Sequence, residues 1–285
     1  MAAGGGGGAA GRPGDMSRRH ELEQRLRKLG EIGEIMRTMK NLALMETRKL
    51  ARFIDVQDES VRLIEAAAAD FLHCFPRPAE PADGAAALLL IGAERGFCGD
   101  FNDAVLRALD GSDEAGPILA VGGKLCARLA QHPRLAAQLD GPTVAEDVPK
   151  TLNRLLAEIG RLRQAHAGLT VLHHRSGTEG VCRKPLLPPF GAVAAPSPPP
   201  SHPPLLNLPP KQFYAGLLRH YLFAALHELF YTSLMAENQR RVQHLEGAVQ
   251  RLEEKTETLA RQSHTLRQEE ITEEIEVILL SVEVP

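Results

Sequence analysis

Residues 242–282 read VQHLEGAVQRLEEKTETLARQSHTLRQEEITEEIEVILLSV, and their periodicity decides the fold. Val242, Leu245, Val249, Leu252, Thr256, Leu259, Ser263 and Leu266 alternate spacings of three and four, the seven-residue repeat of a coiled-coil seam. Thr256 and Ser263 weaken it. The apolar line then jumps five residues to Ile271 and continues through Ile275, Ile278 and Val282. A phase break of that kind rotates the apolar stripe around the helix and points the last turns toward a different surface.

Working outward, no proline occurs between Pro210 and Pro285, and none between Pro13 and Pro76. Both stretches are rich in Leu, Glu, Arg, Gln and Met, which favour helix, and proline would break one. At about 1.5 Å per residue, Met16 to Leu72 would span roughly 85 Å and Lys211 to Val282 roughly 105 Å. Helices so long need a partner along their length, and each is the other's nearest candidate. From Met16 to Arg52 there are ten Lys/Arg against five Glu; from Glu237 to Glu283, six against eleven. Opposite net signs help two helices select each other, although each exposed pair adds little energy.

The first helix is expected to start near Ser17, an N-cap type with Glu21 in the following turn. Its apolar line reads Leu22, Leu26, Leu29, Ile32, Met36, Met39, then less strictly Leu42, Met45, Phe53, Val56 and Leu63. Gly30 and Gly33 weaken the middle or admit a neighbouring backbone.

Between the helices, Ala85–Ile91, Pro117–Val121 and Leu169–His173 have the look of buried strands. Asp103–Leu109, Lys124–Gln131 and Ala145–His166 suit helices. The alternation predicts a small α/β domain with a largely parallel sheet. Eleven prolines from Pro185 to Pro210 mark an extended linker. The expected fold class is thus α/β: a long antiparallel two-helix coiled coil from both termini, with a small Rossmann-like domain inserted. The expected divisions are a disordered Gly/Ala-rich tail over 1–15, a helix over 16–75, the α/β domain over 84–184, the linker over 185–210 and a second helix over 211–284.

The chemistry tested is mostly rejected. A formal charge of -3 argues against a general nucleic-acid binder. Cys74, Cys98, Cys126 and Cys182 form no C-x-x-C, so neither a zinc site nor a disulfide framework is expected. No apolar run approaches the roughly 18–20 residues of a membrane span, and the first fifteen residues lack the apolar core of a signal peptide. Glycines 92, 96 and 99 follow a strand at G-x-x-x-G-x-x-G spacing, not the dinucleotide G-x-G-x-x-G. Gly122-Gly-Lys124 ends like a phosphate loop but lacks its first Gly and its Ser or Thr. His173-His174 point to opposite faces of a strand, and Cys98 is better read as a small buried thiol than as a nucleophile. These residues give no catalytic site, no metal site and no cofactor.

Glu94-Arg-Gly-Phe-Cys-Gly-Asp-Phe-Asn102, placed after the first strand, resembles the D-R-G-L-C-G-G-x-N signature of the gamma subunit of F-type ATP synthases, with Glu94, Phe97, Asp100 and Phe101 as variants. In the first helix Ile35, Met39, Ala43, Arg48 and Lys49 match that family's pattern. Ser233-Leu-Met-Ala-Glu-Asn-Gln-Arg-Arg241 resembles its S-L-x-S-E-x-x-A-R, and Arg267-Gln-Glu-Glu-Ile-Thr-Glu-Glu274 its R-Q-x-x-I-T-x-E. The resemblance covers Ser17 to Ser281, and its departures look like the divergent "alternate" branch.

The resemblance implies a central-stalk rotor subunit with no nucleotide site of its own, coupling ion-driven rotation to ATP synthesis or hydrolysis. The implied partners are a ring of alpha and beta subunits, an epsilon subunit and a ring of membrane c subunits, without nucleic acid or direct membrane insertion. The implied location is peripheral, on the cytoplasmic face of the inner membrane. Carried over by position, Met39, Arg48, Lys49, Glu237, Arg241, Arg267, Gln268 and Thr272 are the candidate contact or coupling residues. The alternative reading is a coiled-coil adaptor unrelated to ATP synthesis.

Overall fold

The computed structural model describes residues 13–75, 85–163, 166, 168–177, 180–190 and 202–282, with side chains from Arg18 to Ser281. In chain order the elements are α1 (Pro13–Cys74), β1 (Ala87–Ile91), α2 (Phe101–Asp110), β2 (Ile118–Val121), α3 (Gly123–Leu129), β3 (Leu135–Leu139), a 3-10 turn (Ala145–Asp147), α4 (Val148–Leu162), β4 (Leu169–His174), β5 (Val181–Leu187) and α5 (Pro210–Val282). They form two compact units. One holds α1 up to Asn41 and α5 from Leu245; the other holds everything from Leu42 to His244.

In the first unit α1 and α5 pack antiparallel, as Arg19–Glu270 at 2.6 Å, Arg37–Glu253 at 2.7 Å and Lys40–Glu246 at 3.5 Å show. Such pairs, wholly or partly exposed, contribute little stability each, and their signs match the charge asymmetry of the two helices. On α5 the expected seam is the observed one: Leu245 and Val249 are buried, and Leu252, Thr256, Leu259, Ser263 and Leu266 are half-buried. On α1 the seam departs from expectation. Ile32 is exposed, and Gly33 takes the inward position. A Cβ on Gly33 would lie 3.2 Å from Cδ2 of Leu252, so the glycine lets the helices close.

The second unit is a five-stranded sheet of order β3-β2-β1-β4-β5, parallel throughout except for β5. Both faces are covered, so β1, β2 and β4 are buried at every residue and read as continuous apolar runs. Ala87, Leu89 and Ile91 of β1 join a core with α4, α1 and α5; Leu88 and Leu90 turn the other way, toward α2 and α3.

The structure corrects several boundaries. Helix α1 begins at Pro13, inside the expected tail, and residues 1–12 lie outside the described residues. The expected helix over Ala145–His166 is a 3-10 turn followed by α4, with Pro149 in the first turn, where a missing N–H costs nothing. Strands β3 and β5 add to the three expected. The former is an edge strand with Ala136, Ala137 and Gln138 at its centre; the latter carries Pro185, which an edge strand tolerates. The linker expected from Pro185 therefore begins later, and residues 191–201 lie outside the described residues. In this unit α1 buries Leu50, Val61, Ala68 and Phe71, while the expected Leu42, Met45, Phe53, Val56 and Leu63 are exposed.

Candidate functional site

The segment that leaves β1 is fixed from three sides. Asn102 Oδ1 accepts the N–H of Ala93 at 2.9 Å. Glu94 Oε2 accepts the N–H of Gly123 at 2.6 Å and of Gly141 at 2.7 Å. One carboxylate thereby joins the chain after β1, the start of α3 and the chain after β3. Doubly wound sheets receive phosphate at this end, beside the strand-order reversal between β1 and β4. Glu94 takes its amides on the other side of β1, after β2 and β3. Gly92 serves packing instead: a Cβ there would lie 2.5 Å from Cβ of Leu125.

Beneath this loop lies a buried ionic cluster. Glu237 and Arg241, one turn apart on α5, form an ion pair and are each 4% exposed. Arg241 Nη1 donates to Asn238 Oδ1 at 2.8 Å, Nε to the Gly96 carbonyl at 3.2 Å and Nη2 to Cys98 Sγ at 3.3 Å. Glu237 Oε1 also accepts the Arg95 N–H at 3.4 Å. Burial pushes the Glu237 carboxyl up, while Arg241 and the backbone amides of Arg95 and Glu94 hold it down. The Cys98 thiol is pushed up to about 12, chiefly by burial and then by Glu237, so it stays protonated. Alkylation of the folded protein at about pH 8 should therefore label Cys98 at least about a hundredfold more slowly than free cysteine. Peptide mass mapping checks this; prompt labelling of Cys98 would contradict the assignment of a closed, protonated thiol.

The loop's outer face is shaped by backbone. Phe97 takes φ 64, a left-handed conformation unusual for a bulky residue, and Gly99 takes φ 59. Phe97 is exposed, while Phe101 is buried with its ring 3.8 Å from that of His174. His174 Nε2 lies 2.8 Å from the Phe101 carbonyl, and burial lowers the pKa of both His173 and His174. The histidine pair is thus packing, as the strand geometry predicts.

The remaining candidate residues fall into distinct settings. Lys49 reaches Glu146 at 2.7 Å and Glu46 at 3.1 Å, and Glu46 accepts the Ala145 N–H at 2.6 Å, so the group ties α1 to the turn before α4. The hydrogen bond to Glu146 raises the pKa of Lys49, and Lys49 lowers that of Glu146. Arg48 is exposed and Met39 half-buried. Arg267, Gln268 and Thr272 are exposed near the end of α5, with the Thr272 hydroxyl donating to the Gln268 carbonyl at 2.9 Å. Sequence reasoning matches Glu94 only as a signature variant. The signal that could assign its role is a carboxylate entering a loop near Gly123 and Gly141, glycines without side chains to block their amides. Among the described residues no group of three or more His, Cys, Asp or Glu side chains could hold a metal ion, and no helix is long and apolar enough to cross a membrane.

A family model described as ATP synthase matches residues 18–283. No curated protein matches the sequence. Among solved structures, the chain resembles the rotor of the Euglena gracilis mitochondrial ATP synthase in rotational state 1, with 14% identity, 90% of this chain and 99% of that chain covered, and a TM-score of 0.62. A chain of the same organism's OSCP/F1/c-ring assembly in rotational state 3 shares 14% identity over 93% and 94% of the two chains, with a TM-score of 0.64. A chain of the Tetrahymena thermophila mitochondrial ATP synthase central stalk and c-ring shares 15% identity over 75% and 99%, with a TM-score of 0.56. At such identities the likeness is one of fold.

Proposed function

The chain belongs to the gamma-subunit family of F-type ATP synthases, and from that premise we propose how its parts serve a central-stalk rotor. The observation that carries the reading is the end of α5. Beyond Glu270 its residues are exposed, and Ile271, Ile275, Val277, Ile278, Leu279 and Leu280 make that exposed surface apolar. An apolar surface of that extent calls for a partner. A surrounding ring of alpha and beta subunits supplies one and can leave the helix free to turn.

Gln268 and Thr272, one turn apart on one face, are the polar contacts to that ring, with Arg267, Met39 and Arg48 beside other parts of it. Glu237, Arg241 and Lys49 act indirectly, by fixing the 94–102 loop and the α1–α4 junction. The subunit is non-catalytic, and nucleotides bind the partner subunits; the spacing of Gly92, Gly96 and Gly99 after β1, which departs from the dinucleotide pattern, supports this. The α/β unit, residues 84–184, is the foot that meets the epsilon subunit and the c-subunit ring. The complex sits peripherally at the cytoplasmic face of the inner membrane. The departures at Val242, Leu245 and Met45-Glu-Thr-Arg-Lys49 favour a place in the alternate branch. The adaptor reading accounts for the helices and leaves the family match over the α/β unit unexplained.

Co-purification with nucleotide-binding subunits tests the reading, and its absence would overturn it. Within the purified complex, Gln268→Leu with Thr272→Val preserves approximate size and removes hydrogen-bonding groups. Assembly should remain near normal while ATP synthesis and hydrolysis fall several-fold, because stripping one polar partner from an interfacial hydrogen bond costs about 1–3 kcal/mol. Full activity in the double variant would make these residues mere surface.

A further inference from the structure

Glu94 lies where the chain has just left the sheet, and its hydrogen bonds act beyond the strand ladder. The last pairs there are Ile91 with Val121 and Val121 with Leu139, so β1, β2 and β3 hold their register through backbone alone. Past those pairs, the Gly123 and Gly141 amides donate to one Glu94 oxygen at 2.6 and 2.7 Å. A Cβ on Gly123 would lie 3.1 Å from Glu94 Oε1, and one on Gly141 3.2 Å from Oε2, both closer than an ordinary contact. Asn102 closes the loop on the Ala93 amide, and Arg241 holds the Gly96 carbonyl from beneath at 3.2 Å. Between these anchors Arg95 and Phe97 are exposed, Phe97 in left-handed backbone that a bulky residue adopts only at a cost. Strained backbone that displays an apolar side chain marks a surface in use.

We infer that Glu94 is a positioning residue for rotational coupling: it fixes the level at which the 94–102 loop presents Arg95 and Phe97 to a partner subunit. The inference rests on the rotor reading and adds a residue to it. Reach is what Glu94 supplies. Its carboxylate extends from the end of β1 past β2 to the chain after β3. Aspartate, which the resembling signature carries at this position, is shorter by one carbon, about 1.5 Å. An Asp keeps both amides in hydrogen-bond range only if the loop moves toward them. Arg95 is the next residue, so that movement passes directly to the displayed surface.

The test compares Glu94→Asp, Glu94→Gln and Glu94→Ala in the purified complex, with turnover counted per assembled complex. Glu94→Asp and Glu94→Ala should assemble and hydrolyse ATP about tenfold more slowly, the scale of a small misplacement far from the chemistry. The KM for ATP should stay unchanged, because the substitution leaves the partners' nucleotide sites intact. Glu94→Gln keeps the length and an accepting oxygen, and should restore most of the turnover. A tie that merely stabilises the sheet would lower assembly and leave turnover per complex unchanged, and that result overturns the proposal. Equal loss in Glu94→Gln and Glu94→Ala also overturns it, because charge rather than reach would then decide. Failure of the unsubstituted chain to capture nucleotide-binding subunits is a separate outcome, which removes the rotor reading and this inference with it.

Discussion

Leu245→Asp combined with Leu252→Asp should dismantle the antiparallel helix pair. Leu245 is fully buried, and Leu252 is the side chain that Gly33 on α1 admits to close approach. Two carboxylates in that seam would forfeit the apolar packing and face desolvation without a cation, a cost of at least about 3 kcal/mol. Neither helix segment of this unit has another described element to lean on, and isolated helices depend on such packing. Helical circular dichroism should fall, and capture of the partner ring should fall with it. Ile275→Asp is the contrasting variant, because Ile275 is already exposed. It should leave the dichroism intact and weaken only partner capture. If the double variant kept both signals, Leu245 and Leu252 would not carry the pairing.

The α5 seam is legible because its repeat is carried by large aliphatics over many turns, and a seven-residue period has one geometric reading. The α1 seam misleads for the converse reason. Its inward positions are filled by Gly33, Ala43 and Ala68 as much as by leucine, so ranking residues by size selects Ile32, Leu42 and Met45, which face outward. Small residues there let the helices approach, an effect that exists only once the partner is present. The central strands are legible because burial on both faces leaves unbroken apolar runs; β3 and β5, at the edges, lack that mark. At the candidate site, motif spacing shows only how the glycines depart from a phosphate loop. It does not show that Glu94 reaches an amide at Gly141, because that hydrogen bond depends on sheet order. Glu237 and Arg241 read as contact or coupling residues in the sequence, and in the structure both are buried inside the unit. A pair spaced by one helical turn looks the same in sequence whether water or a loop covers it.

Arg241→Met should be the most destabilising single change beneath the 94–102 loop. A buried ion pair is weak evidence of net stability, but removing one partner strands the other charge and typically costs about 3–5 kcal/mol. Met fills much of the volume, so the loss isolates the charge of Glu237 and the hydrogen bonds to Gly96, Asn238 and Cys98. Glu237→Gln added to Arg241→Met removes the stranded charge and should recover more than half of the loss. The remainder is the unpaired Gly96 carbonyl and Asn238 amide, at about 1–3 kcal/mol together. The two variants should also differ with pH. Burial raises the Glu237 carboxyl, and Arg241 is the strongest influence opposing it. Without Arg241 the folded form holds the proton to higher pH than the unfolded chain does. Its stability therefore rises as pH falls through the folded pKa and is lost as pH rises. The deficit of Arg241→Met should thus grow from about pH 5 to about pH 8, while that of the double variant stays flat. Urea unfolding of both proteins at the two pH values measures it. A deficit independent of pH in the single variant would mean that the guanidinium serves the loop through its neutral hydrogen bonds, and that Glu237 is charge-balanced elsewhere.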